Sequence, residues 1–299
     1  MKFKLRRGGA GKRRLRRVEV VPALFTLANG VCGFAAIVFA SRIHPEALLE
    51  VAKPAYAEAL GMMHLAGWMI FLGMVFDVLD GRVARRYNAA SRFGAELDSL
   101  CDVVSFGVAP AFLLLKMGPT RGDLWWLYKL VFVAAGLYMV GAIVRLARFN
   151  VETTADEESH RFFKGLPSPA AAGCLASFAV LRHDLFDHAQ LEAALRPWID
   201  GLALAMPFGA IALAGLMVSD VRYPHLVNQS LRGRQPFGRL VTLLALAAFA
   251  AIFLTGLALA LAFWGFAAFG ALRCRPLPTA VEATDEREAP PAAPISREA

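Results

Sequence analysis

The chain has 299 residues, of which 57% are hydrophobic and 19% are charged, and its formal net charge is +8. An ordinary soluble domain carries charge on about 25% of its residues, so this composition excludes that class. Nine of the Lys and Arg residues fall within the first 17 positions, before the first acidic residue, Glu19, and the rest of the chain is nearly neutral. A basic arm directly before an apolar segment is typical of an anchor to anionic lipid, and we expect no nucleic-acid partner.

Repeated apolar segments approach the length of about 20 residues that a helix needs to cross a bilayer. In chain order they are Pro22–Ser41, Leu60–Asp80, Leu97–Met117, Leu124–Leu146, Ser168–Leu181, Trp198–Ser219 and Arg239–Arg273. The last segment is too long for one ordinary span. A turn at Thr255 and Gly256 would divide it into two short helices, and one long tilted helix is the alternative. We therefore predict an all-α polytopic membrane protein with a bundle of about eight transmembrane helices, a six-helix core plus a C-terminal pair.

The chain divides into an anchor, a core and a tail. We predict a basic cytoplasmic arm at 1–21, the six-helix core at 22–219, a cytoplasmic loop with the C-terminal helices at 220–273, and a disordered cytoplasmic tail at 274–299. The loops between spans alternate between richer and poorer in Lys and Arg. Because basic loops stay in the cytoplasm, this alternation places the N-terminus and the junction between the second and third spans there.

Two further groups of polar or reactive residues carry weaker signals. The cysteines are Cys32, Cys101, Cys174 and Cys274. They show no CxxC spacing, so neither a zinc site nor a disulfide framework is indicated, and we interpret them as small buried hydrophobes.

The segment HDLFDH contains His183, Asp184, Asp187 and His188. We interpret it as a solvated extracytoplasmic loop.

Four aspartates lie near the ends of the second and third predicted spans, at Asp77, Asp80, Asp98 and Asp102. Their spacings of three and four residues place each pair on one face of its helix. Carboxylates at membrane depth are costly and usually functional, and four that converge need cations between them. Hard oxygen ligands suit Mg²⁺ or Mn²⁺, which proteins often bind together with substrate phosphates. The pattern predicts a metal-dependent site for a phosphate ester.

The aspartates belong to a longer pattern, DxxDGxxAR followed after eight residues by GxxxDxxxD, which runs from Asp77 to Asp102. With every defining position present, it resembles the signature of the CDP-alcohol phosphotransferase family. The resemblance implies that Asp77, Asp80 and Asp98 bind two divalent ions, Mg²⁺ or Mn²⁺, and that Asp102 also lies near a metal and acts as general base. It further implies that a second set seats the cytidine diphosphate group: Gly81, Ala84, Arg85 and Gly94.

Two other segments resemble the bacterial phosphatidylserine synthases within that family. The first is PALFTLANGVCGF, where Ala23 replaces the usual Asn while Thr26 and Asn29 match, and we expect those two matched residues at the nucleotide. The second comprises RLARFN and, after twelve residues, FKGLPSPA. From it we expect serine or phosphate binding by Arg145, Arg148 and Lys164, with a stiff, non-helical loop of glycine and prolines leading into the fifth span.

The resemblance implies an enzyme that uses CDP-diacylglycerol and L-serine, forms a homodimer, and spans a bacterial inner membrane several times with its site facing the cytoplasm. Two alternatives stay open. Another family branch would use a different acceptor and make phosphatidylglycerophosphate or a phosphatidylinositol phosphate. A divalent-ion transporter would instead place its acids near the bilayer midplane on repeated or broken helices.

Overall fold

The computed structural model describes residues 17–49, 54–86, 92–118, 125–155, 163–186, 189–223 and 255–272. These ranges are almost wholly helical. The helices are α1 (Arg17–Ser41), α2 (Pro54–Arg86), α3 (Arg92–Asp102), α4 (Ala109–Met117), α5 (Trp125–Ala155), α6 (Ser168–Phe186), α7 (Ala189–Val218) and α8 (Thr255–Leu272). A 3₁₀ turn at Pro45–Leu49 follows α1, and a π-helical segment at Val103–Val108 joins α3 to α4.

Within the described ranges, six helical stretches are long and apolar enough to cross a membrane. They are Ala23–Ser41, Pro54–Val83, Phe93–Met117, Trp126–Val151, Pro197–Val218 and Thr255–Leu272. The prediction of an all-α polytopic membrane protein is confirmed. The predicted fifth span corresponds to α6, which is outside this set and carries Arg182, His183 and Asp184 near its end.

Most helices extend beyond the apolar segments that predicted them. For example, α2 begins at Pro54 and ends at Arg86, well outside the predicted Leu60–Asp80. The reason is that backbone hydrogen bonding continues into polar sequence, whereas hydropathy marks only the apolar part. The basic arm before Arg17, the first half of the predicted C-terminal pair and the tail lie outside the described residues, while α8 begins at Thr255, where the turn was predicted.

The prediction of a solvated HDLFDH loop was wrong for the residues that can be compared. His183 and Asp184 lie in the last turns of α6 and are half-buried, while Asp187 and His188 lie outside the described residues. Helix α6 continues to Phe186, about one turn beyond the predicted end at Leu181. The prediction failed because the polar end of a buried helix has the same composition as a loop. The interpretation of the cysteines is confirmed for Cys32, Cys101 and Cys174, which are free and buried.

Helix α6 lies at the centre of the bundle. All residues from Ala171 to Arg182 are buried, and α6 contacts α2, α7 and α8. Small residues permit this close packing, as is usual between membrane helices. A Cβ added to Gly67 of α2 would lie 3.0 Å from the Ala176 carbonyl oxygen, and one added to Gly173 would overlap the Phe263 ring of α8.

Helix α1 separates an apolar outer face from a polar inner face. Leu24, Leu27, Val31 and Phe34 are exposed. Thr26 and Asn29 are buried on the other side, where α1 contacts α2 and α3. An exposed row of large apolar side chains suits contact with lipid and leaves the polar face for the interior.

The segment before α6 is tied to the end of α7. Phe163–Lys164 (β1) pairs antiparallel with Arg222–Tyr223 (β2), a short ladder that the sequence did not predict. Gly165 follows with φ of 80°, which favours glycine, and its N–H donates to the Val221 carbonyl at 2.8 Å. The predicted non-helical loop is therefore present up to Pro167, whereas α6 already begins at Ser168.

Candidate metal centre

Helices α2 and α3 bring three of the four aspartates together. Carboxylate oxygens of Asp77, Asp98 and Asp102 all lie within 4.8 Å of one another. Asp77 belongs to the second half of α2, while Asp98 and Asp102 lie one turn apart on α3. The i to i+4 spacing on α3 therefore directs both carboxylates to α2, as the sequence pattern predicts.

Asp80 completes this acidic cluster from the same face of α2. Its side chain is only 6% exposed. Thr26 Oγ1 of α1 donates a hydrogen bond of 2.8 Å to Asp80 Oδ2. The Asp80 and Asp98 carboxyl groups lie close enough to interact directly. All four predicted metal ligands thus meet at the interface of α1, α2 and α3.

Asn29 orients the carboxylate at the end of α3. Its Nδ2 donates to Asp102 Oδ1 at 2.9 Å, and Ser105 Oγ donates to the Asn29 carbonyl at 2.8 Å. Thr26 and Asn29 were predicted to contact the nucleotide. In the structure they are hydrogen-bond donors that position two carboxylates, a role that the pattern alone did not reveal.

Glycines allow α1 to approach closely enough for these short side chains to reach. A Cβ added to Gly33 would lie 2.7 Å from Ser105 Cα, and one added to Gly30 would lie 3.0 Å from Cys101 Sγ. On the α2 side, a Cβ added to Gly73 would lie 2.9 Å from Asn29 Oδ1. At Gly33 the added Cβ would meet the Ser105 backbone and has no room, whereas at Gly30 and Gly73 it would press on neighbouring side chains. These glycines therefore permit the close approach of the helices.

The π-helical segment begins directly after Asp102. The Ala109 N–H donates to the Val104 carbonyl, five residues earlier, which widens the turn. Tyr138 of α5 is fully buried and donates through its hydroxyl to the Phe106 carbonyl at 3.0 Å. Wide turns of this kind often occur at functional sites. Here the turn ends the acidic face of α3 and begins the apolar packing of α4.

The residues of the acidic cluster fit a divalent cation. Asp98 Oδ1 is buried and has no hydrogen-bond partner among the described residues. The donor set consists of carboxylate oxygens, which are the ligands that Mg²⁺ and Mn²⁺ prefer. Arg145 is a half-buried cation that interacts electrostatically with Asp77 and Asp102. Among the described side chains, the one guanidinium leaves four close carboxylates with excess negative charge, which bound cations would offset.

The two predicted serine-binding arginines have different surroundings. Arg145 Nη1 donates to Ser168 Oγ at 2.7 Å, and its guanidinium lies 5.9 Å from the centre of the Phe149 ring. Arg148 forms an ion pair with Asp220 and donates to the Val218 carbonyl at 3.4 Å. Arg145 therefore borders the acidic cluster, while the contacts of Arg148 lead to the end of α7.

The remaining predicted site residues are placed by their backbone. Gly81 follows Asp80 on α2, and Gly94 lies one turn before Asp98 on α3. Three further positions lie in described elements, but their side chains lie outside the described residues: Ala84, Arg85 and Lys164.

Sequence reasoning missed several residues that support the site. Asn150 Nδ2 donates to Ser99 Oγ at 2.8 Å and so joins the end of α5 to α3 beside Asp98. Ser105 and Tyr138 secure the π-helical segment. Asn150 closes the RLARFN segment and could have been found by its position there, whereas Ser105 and Tyr138 carry no sequence signal.

Several known proteins are similar to this chain in sequence. A CDP-diacylglycerol–serine O-phosphatidyltransferase of Helicobacter pylori is 37% identical over 164 residues, which are 54% of this chain and 61% of the relative. Proteins of the same name from Bacillus subtilis and Saccharomyces cerevisiae are 29% identical over 211 residues and 39% identical over 160 residues. Those alignments cover 70% and 52% of this chain, and 92% and 51% of the respective relatives.

The match to a known protein family extends well beyond the acidic cluster. Residues 19–211 match the CDP-alcohol phosphatidyltransferase family model, a region that includes α1, the four aspartates and most of α7. The match extends over more than half of the chain and contains every carboxylate of the cluster. This protein is a member of the CDP-alcohol phosphatidyltransferase family.

Proposed function

We propose that the protein transfers the phosphatidyl group of CDP-diacylglycerol to L-serine and forms phosphatidylserine and CMP. The observation that carries the proposal is the convergence of Asp77, Asp98 and Asp102 within 4.8 Å, inside the region that matches the family. The choice of serine is supported by relatives that bear the serine O-phosphatidyltransferase name. It is also supported by the Arg145–Asn150 segment, which borders the cluster.

In the proposed reaction the serine hydroxyl oxygen forms a bond to the lipid-linked phosphorus, and the bond from that phosphorus to the oxygen of CMP breaks. Asp102 takes the hydroxyl proton, while CMP departs with the electrons of the broken bond. Asn29 holds Asp102 Oδ1, so the carboxylate keeps one orientation towards the acceptor. Direct transfer needs no covalent enzyme intermediate, and none of the defining positions of the signature is Ser, Cys or His.

Asp77, Asp80, Asp98 and Asp102 are the residues that would hold Mg²⁺ or Mn²⁺. Such ions would supply positive charge for the pyrophosphate and the departing CMP. Thr26 would keep the Asp80 carboxylate directed at its neighbours. Gly81, Ala84, Arg85 and Gly94 would seat the cytidine diphosphate group, as the family resemblance implies, with small residues leaving room for it.

Arg145 is the best-supported candidate for binding the serine carboxylate or a phosphate, because its charge lies beside the acidic cluster. Lys164 remains a proposal from the sequence resemblance, whereas Arg148, which is paired with Asp220, is proposed to act on serine binding indirectly. We further propose a multi-pass protein of a bacterial inner membrane, with the cluster facing the cytoplasm. The richness of the corresponding loops in arginine supports this orientation.

A homodimer is proposed from the family resemblance and is testable by cross-linking in membranes.

The decisive experiment measures CMP release by purified, detergent-solubilised protein given CDP-diacylglycerol and Mg²⁺ or Mn²⁺. Serine, glycerol 3-phosphate and inositol derivatives are offered separately, and Asp102→Asn serves as the control. We expect CMP and a serine-bearing lipid only with serine, and neither from the control. Release with another acceptor alone would assign the protein to a different branch of the family. Absence of release from folded protein with every acceptor and metal would contradict the enzyme proposal and favour ion transport.

A further inference from the structure

A second group of potential metal ligands lies at the other end of the bundle. His64 of α2 and His183 and Asp184 of α6 each offer one ligand atom, and these atoms lie within 4.8 Å of one another. The two imidazole rings have centroids 4.2 Å apart. His64 lies thirteen residues before Asp77 on the same helix, about 20 Å along its axis. This histidine cluster is therefore separate from the four aspartates.

Helix α8 holds the carboxylate of this cluster in place. The Gly256 N–H donates to Asp184 Oδ2 at 2.7 Å, while Asp184 Oδ1 lies 3.7 Å from His64 Nδ1. A Cβ on Gly256 would overlap the backbone of Leu181, so the start of α8 lies directly against α6. A hydrogen bond to one oxygen that fixes the direction of the other is the usual support for a metal-binding carboxylate.

The side chains of the cluster are partly exposed. His64 is 27% exposed and Asp184 21% exposed. On the inner side, α8 is secured to its neighbours. Trp264 Nε1 donates to the Cys174 carbonyl at 2.9 Å, and the Phe263 ring lies 5.5 Å from that of Phe71. The cluster thus lies at the meeting point of three helices that are already packed together.

The chemistry of the donors selects the class of metal. Two imidazoles and one carboxylate match the protein ligands of many open zinc sites, in which water takes the fourth position. Mg²⁺ and Ca²⁺ require several hard oxygen ligands, and among the described residues this cluster offers one carboxylate. The donor set therefore favours a borderline transition metal over the ions that suit the acidic cluster.

We propose that His64, His183 and Asp184 bind Zn²⁺ or a similar divalent transition metal, which ties α2 to α6 directly, and to α8 through the Gly256 hydrogen bond, at the end opposite the acidic cluster. This site is independent of the proposed reaction. Its bound metal would stabilise the folded bundle by mass action, because it binds the assembled cluster and not the separated helices.

The test uses the full chain in detergent, titrated with Zn²⁺ in excess Mg²⁺. Bound zinc and the unfolding temperature are both measured. We expect Zn²⁺ to raise the unfolding temperature of the parent protein. His64→Gln and His183→Gln should each weaken zinc binding at least about tenfold and remove that increase. His44→Gln, which changes an exposed histidine outside the cluster, and Asp98→Asn should both retain it.

Several outcomes would overturn the proposal. One is the absence of zinc binding by the parent; another is unchanged zinc affinity in both histidine variants. Loss of binding only in Asp98→Asn would assign the zinc to the acidic cluster. Should the histidine variants fail to fold, Co²⁺ added to the parent protein provides a second readout. Strong visible absorption that persists in Asp98→Asn supports a site with imidazole ligands, and weak absorption typical of octahedral oxygen ligands contradicts it.

Discussion

At the scale of single residues, two short side chains of α1 control the orientation of the acidic cluster. Thr26 donates to Asp80 and Asn29 donates to Asp102, and both donors are buried. A hydrogen bond to a charged group contributes about 1.5–3 kcal/mol, more than a bond between neutral groups. Because these bonds direct carboxylate oxygens, their loss should affect metal binding before it affects the fold.

Replacing Thr26 by Val tests this role with little change in shape. Thr26→Val removes the hydroxyl, and we expect the Mg²⁺ or Mn²⁺ concentration for half-maximal CMP release to rise about 10- to 100-fold. Thr26→Ser keeps the hydroxyl and should stay close to the parent. The measurement is CMP release as a function of metal concentration. Equal metal requirements for the Val and Ser variants would show that the hydroxyl does not position Asp80.

Arg148 poses a different question, because its guanidinium is paired with Asp220. Direct binding of serine predicts that Arg148→Ala raises the KM for serine while Asp220→Ala does not. An indirect effect, through the residues that follow α7, predicts a similar rise of the KM for serine in both variants. We expect the second result, because the Arg148 guanidinium is already engaged by Asp220 and the Val218 carbonyl, so both variants release the segment that follows α7.

The KM for CDP-diacylglycerol provides the control for the Arg148 comparison. It should change less than the KM for serine in both variants. A rise in the KM for serine confined to Arg148→Ala would assign this arginine to the serine pocket.

At the scale of helices, the separation of α1 from α2 and α3 is set by glycine. Gly30 and Gly33 face α3 and the π-helical segment, and Gly73 faces α1. These three glycines bring three backbones close enough for Thr26 and Asn29 to reach the aspartates. At Gly33 a single added methyl group would meet the Ser105 backbone, so it must displace a helix.

Gly33→Ala should therefore destabilise the protein by about 1–3 kcal/mol, the usual effect of overpacking, despite the higher helix propensity of Ala. The control is Gly61→Ala in α2, where a Cβ would meet no atom within 4 Å. That variant should be neutral or slightly more stable. Thermal unfolding in detergent measures both. Equal stability of the two variants would contradict the tight seam.

The π-helical segment after Asp102 depends on Tyr138. Tyr138→Phe leaves the buried Phe106 carbonyl without the hydroxyl donor, and we expect a loss of about 1–3 kcal/mol in stability. CMP release should also fall, because this turn sets the direction of Asp102. Tyr128→Phe alters an exposed tyrosine of the same helix and should change neither quantity. Parent-like stability of Tyr138→Phe would show that this hydrogen bond is dispensable.

At the scale of the whole molecule, two groups of polar residues lie at opposite ends of an apolar bundle. The acidic cluster lies where α1, α2 and α3 meet, and the histidine cluster lies where α2, α6 and α8 meet. Between them, α6 is enclosed by its neighbours, so both ends depend on the same central helix. Binding at either end should therefore be visible as a change in global stability.

Mg²⁺ should raise the unfolding temperature of the parent protein, because it offsets repulsion among four carboxylates. Asp98→Asn removes one of the repelling charges. We expect this variant to match or exceed the parent in unfolding temperature when a chelator is present, and to gain little from Mg²⁺. Glu96→Gln, an exposed change on the same helix, should behave like the parent. An unchanged Mg²⁺ response in Asp98→Asn would contradict its assignment as a ligand.

The class of fold and the grouping of the aspartates on their helices follow from local sequence. Bilayer thickness fixes the length of an apolar helix, so composition predicted the membrane helices. Helical periodicity predicted that Asp77 and Asp80, and likewise Asp98 and Asp102, share a face, and the structure places them so. These properties are local, since each depends on residues within a few turns of one another.

How the separate helices meet is a property of the tertiary structure alone. It placed Thr26 and Asn29 behind the carboxylates, enclosed α6 at the centre, and brought His64 to His183 from a distant part of the chain. The physical reason is that periodicity defines a helix face but not the face it packs against. That choice depends on close contacts between glycines and neighbouring backbones, which no single segment contains.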